Sequence, residues 1–160
     1  MEPDVVVVAA RGAYPLYLEY GAYVCQAGRP IRPVPRMAFY TRNEIKPEVP
    51  LILGSEDHVT FSRETALALR ASGAAKDIRI GELVERLLDD GRREHGAIHK
   101  VVLLSEPADE RTLTLPQAIR NTSLGPKGRR TAWTQHQRYT WSGALRGEPR
   151  TTDDLACLSG

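Results

Sequence analysis

His136 and Arg138 stand two residues apart in GPKGRRTAWTQHQRYTW, residues 125–141. An imidazole can pass a proton near neutral pH, and a guanidinium can stabilise charge on a phosphoryl oxygen. Together they suit an enzyme acting on phosphodiesters or nucleotides, with Tyr139 as a third candidate group. The same pair also describes a phosphate-binding surface that performs no reaction. Read as a strand from Ala132 to Trp141, the segment sends successive side chains to opposite faces. Trp133, Gln135, Gln137, Tyr139 and Trp141 then share one face, and Ala132, Thr134, His136, Arg138 and Thr140 the other. The aromatic face could stack unpaired bases or pack against a helix as core.

Just upstream, LGPKGRR is a glycine-bracketed basic turn whose Lys127, Arg129 and Arg130 could contact phosphates. It lacks the G-x-x-x-x-G-K-[ST] spacing, so nucleotide hydrolysis of the P-loop type is not expected. Glu44-Ile45-Lys46 superficially resembles the E-x-K half of the PD-(D/E)xK nuclease motif, in which carboxylates hold the cation that activates water. Asp4 would have to supply the upstream aspartate, with Glu19 an irregular substitute, and Pro47 ends the strand that the motif rides. Mg²⁺ belongs only to that reading; otherwise no cofactor and no metal is expected. His95 and His99 stand four apart, but Gly91 and Gly96 argue against a helical turn between them, so they read as loop histidines. Cys25 and Cys157 are too far apart in sequence for a zinc pattern and read as small buried hydrophobes. The signatures G-x-S-x-G, H-E-x-x-H and G-x-G-x-x-G are missing from the sequence.

Charge is segregated along the chain beneath a formal net value of +2. From Arg111 to Arg146 there are seven Arg or Lys residues and no Asp or Glu. Tyr20 to Asn43 repeats the pattern with Arg29, Arg32, Arg36 and Arg42. Between them, Glu44 to Glu110 carries fourteen acids against nine bases, a net of −5. If the two acid-free segments meet in space, they form a one-signed surface that attracts polyanions.

The elements that would position these residues follow from pattern. Val5 to Ala10 is an apolar, β-branched run short enough for a buried strand. YLEYGAYVC reads as a strand bulged at Gly21, and QAGRPIRPVPR as a stiff arginine-bearing loop, since Pro30, Pro33 and Pro35 remove ladder donors. MAFYT and VPLIL are expected as short strands. Ser62 can cap a helix that stops at Gly73, and Ile80, Leu83, Val84, Leu87 and Leu88 define the apolar stripe of a second helix ending at Gly91. KVVLLS and RTLTL are expected to form a hairpin through EPADE, and Thr152 to cap a last short helix over Leu155–Leu158.

Strands, two helices, more strands and a terminal helix fit an α+β domain over residues 1–160. The sheet should be mainly antiparallel or mixed, compatible with barrel-like closure, with two to three helices. The opening residues lack a secretory or membrane-spanning pattern, so a cytoplasmic protein without a membrane partner is expected. The leading expectation is a nucleic-acid-binding domain, DNA or RNA, using Lys127, Arg129, Arg130, Trp133, Arg138, Arg29, Arg32 and Arg36. The alternatives are the His136/Arg138 enzyme and a partner-binding or small-anion domain, in which RPIRPVPR docks on a neighbour as an extended segment.

Overall fold

The computed structural model describes residues 2–123, 133–134 and 137–159. Val5–Ala9 forms strand β1, Ala13–Tyr20 helix α1 and Ala22–Gln26 strand β2. The first half of YLEYGAYVC is thus helical, not extended. Its tyrosines Tyr14, Tyr17 and Tyr20 fall three apart, which on a helix turns Tyr17 and Tyr20 inward beside Leu16. Pro15 is tolerated in the first turn, where its missing N–H costs no intrahelical bond. Gly21, at φ 69°, ends the helix in the left-handed conformation that side chains disfavour.

Arg36–Thr41 forms β3 and Glu44–Ile45 forms β4, joined through Arg42 and Asn43 at φ 50° and 66°. Two successive left-handed residues make the tight hairpin turn that matches strand twist. Glu48–Val49 is β5 and Ile52–Thr60 is β6. Helix α2, Arg63–Ala71, is capped by Ser62, whose Oγ accepts from the Thr65 N–H at 3.1 Å. Helix α3, Ala75–Asp89, buries the apolar stripe expected of it. Ile98–Leu104 forms β7, so His99 belongs to a strand and not to a loop. Leu113–Thr114 is β8, Ile119–Arg120 β9, Gln137–Thr140 β10 and Ser142–Arg146 helix α4. Thr152–Asp154 is a single 3-10 turn, and Cys157–Ser159 is strand β11 where a helix was expected.

The sheets are mixed or antiparallel, giving an α+β fold with four α-helices among the described residues. A six-stranded sheet runs β11-β10-β1-β3-β4-β9, with β1 and β3 parallel and the other pairs antiparallel. A three-stranded sheet runs β2-β7-β6, and β5 pairs with β8. The expected hairpin between KVVLLS and RTLTL does not form, because both edges of β7 are already taken by β2 and β6. The chain instead turns at Asp109, whose carboxylate accepts from the Arg111 N–H at 2.8 Å, and delivers β8 to β5.

Both apolar runs are buried on two faces. In β1, Val6 and Val8 pack between the sheets with Phe39, Tyr139, Tyr23 and Leu104, while Val5 and Val7 face Tyr40, Ile119, Trp133 and Leu145 on the far side. In β7, Val102 and Leu104 face the larger sheet, and Val101 and Leu103 face α2 and α3 with Phe61, Ile80 and Leu87. Gly81 lets the two helices touch: a Cβ there would lie 2.8 Å from the Ala66 carbonyl oxygen. Among the described residues no helix is long and apolar enough to cross a membrane.

Candidate anion-binding crevice

The parallel pair β1/β3 sets up a crevice at one end of the six-stranded sheet. Both strands point their carboxyl ends at one edge of the sheet, where β1 runs into α1 and β3 into the Arg42–Asn43 turn. In α/β sheets such an edge leaves a crevice, because the connections leave the sheet in different directions. Here Ala9, Ala10, Arg11, Tyr40, Thr41, Arg42 and Thr134 line a crevice of about 490 Å³. A smaller hollow of about 220 Å³ adjoins it on the α1 side, sharing Arg11, Thr41 and Arg42 and adding Tyr14, Pro15, Leu18 and Lys46.

The cations here differ in how they are occupied. Lys46 pairs with Glu44 at 2.5 Å and lies over the Tyr14 ring. Arg11 and Arg42 are exposed and make no hydrogen bond or ion pair among the described residues. Thr41 and Thr134 are only 8% and 7% exposed, and their hydroxyls also have no partner among the described residues. Arg42 occupies a left-handed position that costs an L-residue with a Cβ roughly 1–2 kcal/mol. Tyr14 donates to Glu48 Oε2 at 2.7 Å; burial first, and then that carboxylate, pushes its phenol well above the ordinary range.

Tyr40 holds the crevice floor to a buried polar hub. Its phenol oxygen accepts from Asn121 Nδ2 at 3.0 Å and from the Trp133 N–H at 3.1 Å, and lies 3.3 Å from Asn43 Oδ1. Asn121 Nδ2 also donates to Asn43 Oδ1 at 2.8 Å, and its own N–H reaches the Asn43 carbonyl. Thr152 Oγ1 accepts from the Thr122 N–H and lies 3.3 Å from Asn121 Oδ1. The hub therefore ties the hairpin turn carrying Arg42 to Asn121 and Trp133.

The residues singled out in the sequence are dispersed relative to this site. Lys127, Arg129, Arg130 and His136 lie outside the described residues. Trp133 and Tyr139, expected on one face of one strand, lie on opposite sides of the six-stranded sheet, because Trp133 stands in a bend and not in the strand Gln137–Thr140. Trp133 is 2% exposed, against Tyr40 and under the Arg138 guanidinium, 4.7 Å from the ring centre. A base could stack on it only if this core opened. Arg138 thus sits on the tryptophan face and not opposite it. Tyr139, 1% exposed, accepts from the Arg32 N–H at 3.0 Å and carries the Arg32 guanidinium over its ring. It braces the proline loop, and Arg138 and Tyr139 do not converge on one reacting atom.

Arg29 donates to the Tyr23 hydroxyl at 3.1 Å. Arg36 donates to the carbonyls of Val49 and Arg111 and stands at the opposite end of β3 from Arg42; at about 3.3 Å per residue that is roughly 20 Å away. Burial, with Arg146 nearby, lowers its pKa from the usual guanidinium range. The Tyr20–Asn43 arginines are therefore divided between two ends of a strand. Ile31 and Val34 of RPIRPVPR pack on the protein's own core, so only its prolines and Arg32 remain outward. Asp4 and Glu44 also lie at opposite ends of the sheet; Asp4 accepts from Ser142 N at 2.6 Å, and Glu19 pairs with Arg92. Neither Asp4 nor Glu19 therefore supplies the second carboxylate that the E-x-K reading needs beside Glu44. Arg11 was not distinguished in the sequence: ARGAY acquires meaning only once α1 is recognised as a helix following a strand. Compared with protein-family models, with curated proteins and with solved structures, the chain matches none.

Proposed function

We propose that the protein binds nucleic acid through its phosphates, at the crevice over the carboxyl ends of β1 and β3. One observation carries this reading: Arg11 and Arg42 flank that crevice with no carboxylate partner among the described residues. Unneutralised guanidiniums are suited to phosphate oxygens, which they engage by paired, charge-assisted hydrogen bonds. The strained arginine at the hairpin turn supports the same reading, since Gly or Asn would hold the turn more cheaply. Lys127, Arg129 and Arg130 enter as further phosphate contacts on sequence alone.

Fluorescence anisotropy with labelled single- and double-stranded DNA and RNA, at about 50 and about 200 mM salt, tests the reading. Binding should weaken steeply with salt, and Arg11→Ala and Arg42→Ala should each reduce the log–log salt slope by about 1. Absence of salt-sensitive binding to every probe would remove the proposal.

A further inference from the structure

We infer that the crevice selects a terminal phosphate monoester of a nucleotide over an internal phosphodiester, an inference that rests on the phosphate-binding reading above. Arg11 and Arg42 both line the crevice and its adjoining hollow. Two guanidiniums at one place match the charge of roughly −1.5 to −2 on a phosphate monoester better than the single charge of a diester. Thr41 and Thr134 supply the second observation. Each is more than nine-tenths buried, lines the crevice, and has a hydroxyl without a partner among the described residues. A hydroxyl that lines the crevice and has no partner among the described residues can donate to a phosphate oxygen. The monoester has three unesterified oxygens, enough to meet two guanidiniums and two hydroxyls together.

The adjoining hollow gives the rest of the ligand a place. Beyond the shared arginines it offers Pro15 and Leu18, the latter 44% exposed on α1 beside the half-buried Tyr14. An apolar ledge next to a phosphate site suits the flat face of a nucleoside base. The class of ligand is thus a nucleotide with a terminal phosphate, either free or at the end of a strand.

Competition anisotropy on the full chain separates the outcomes, using 5′-AMP, adenosine, inorganic phosphate and one oligonucleotide with and without a 5′-phosphate. The phosphorylated oligonucleotide should bind about tenfold tighter than its hydroxyl counterpart, and 5′-AMP should displace it where adenosine does not. Thr41→Val should erase most of that difference, and Leu18→Ser should weaken 5′-AMP while leaving inorganic phosphate unchanged. Equal binding of the two oligonucleotides, with no displacement by 5′-AMP, would overturn the inference and leave backbone binding standing. Binding of 5′-AMP in a direct calorimetric titration that depends on Arg11, without binding of any oligonucleotide, would support the terminal-phosphate site and remove the nucleic-acid reading.

Discussion

The helix-backed sheet β2-β7-β6 and the six-stranded sheet differ in how far their cations are paired with carboxylates. Around the first, Arg63 pairs with Asp89, Arg70 with Glu85, Lys76 with Glu56, Arg92 with Glu19 and Lys100 with Asp57. On the second, Lys46 pairs with Glu44, but Arg11, Arg42, Arg120 and Arg150 have exposed side chains with no carboxylate partner among the described residues. Exposed pairs contribute only about 0–1 kcal/mol, so the first arrangement adds little stability. Its consequence is electrical: paired charges cancel within a Debye length, whereas unpaired ones project a field that an anion can feel. Cation count alone therefore says less about an anion surface than the placement of carboxylates.

The largest expected effect tests whether the two regions are independent. Leu87→Ala, in the core beneath α3, should lose about 2–5 kcal/mol by urea unfolding, with unchanged oligonucleotide affinity in the fraction that remains folded. Tyr40→Phe removes the oxygen that accepts from Asn121 and Trp133 and should cost about 1–3 kcal/mol. It should also weaken binding, because the turn carrying Arg42 loses its anchor. Arg42→Asn separates the two quantities: affinity should fall about tenfold. Stability should stay level or rise by roughly 1 kcal/mol, since Asn tolerates the left-handed turn. If affinity survives Arg42→Asn, the contrast between the two regions has no functional content.

His99 supplies a pH test within the helix-backed region. Burial, reinforced by Arg93, lowers its pKa from the ordinary imidazole value. The unfolded chain then binds the proton more readily, so stability is full above about pH 6.5 and declines as pH falls from there towards the folded-state value. His99→Gln should flatten that part of the urea midpoint against pH without touching binding. The smallest effect is expected from Arg70→Ala, which should change stability by no more than about 0.5 kcal/mol and leave affinity unchanged. An Arg70→Ala loss of affinity matching that of Arg11→Ala would erase the distinction.

Much of the fold was legible because it rests on local pattern. The valine run, KVVLLS, the Ser62 cap and the stripe of α3 all appear where their periodicity places them. The errors lie where a short segment satisfied two patterns at once. Tyr14, Tyr17 and Tyr20 fit a helix, whereas the residues after Gly21 fit a strand, and only the glycine marks the join in the sequence. Trp133 and Tyr139 share parity in sequence but not a strand, so parity assigned them to the wrong faces. Of the candidate crevice, only the acid-free setting of Arg42 was visible in the sequence.

The sequence by itself determined the α+β class, the segregation of charge and the doubly buried strands, because burial and helix periodicity are written in nearest neighbours. Tertiary structure decided which cations remain unpaired and where they stand. Arg11 and Arg42 lie thirty-one positions apart in the chain and meet only because β1 and β3 run parallel in register, Ala9 opposite Tyr40. Pairing between strands distant in sequence is set by the packing of whole sheets, which no local window contains.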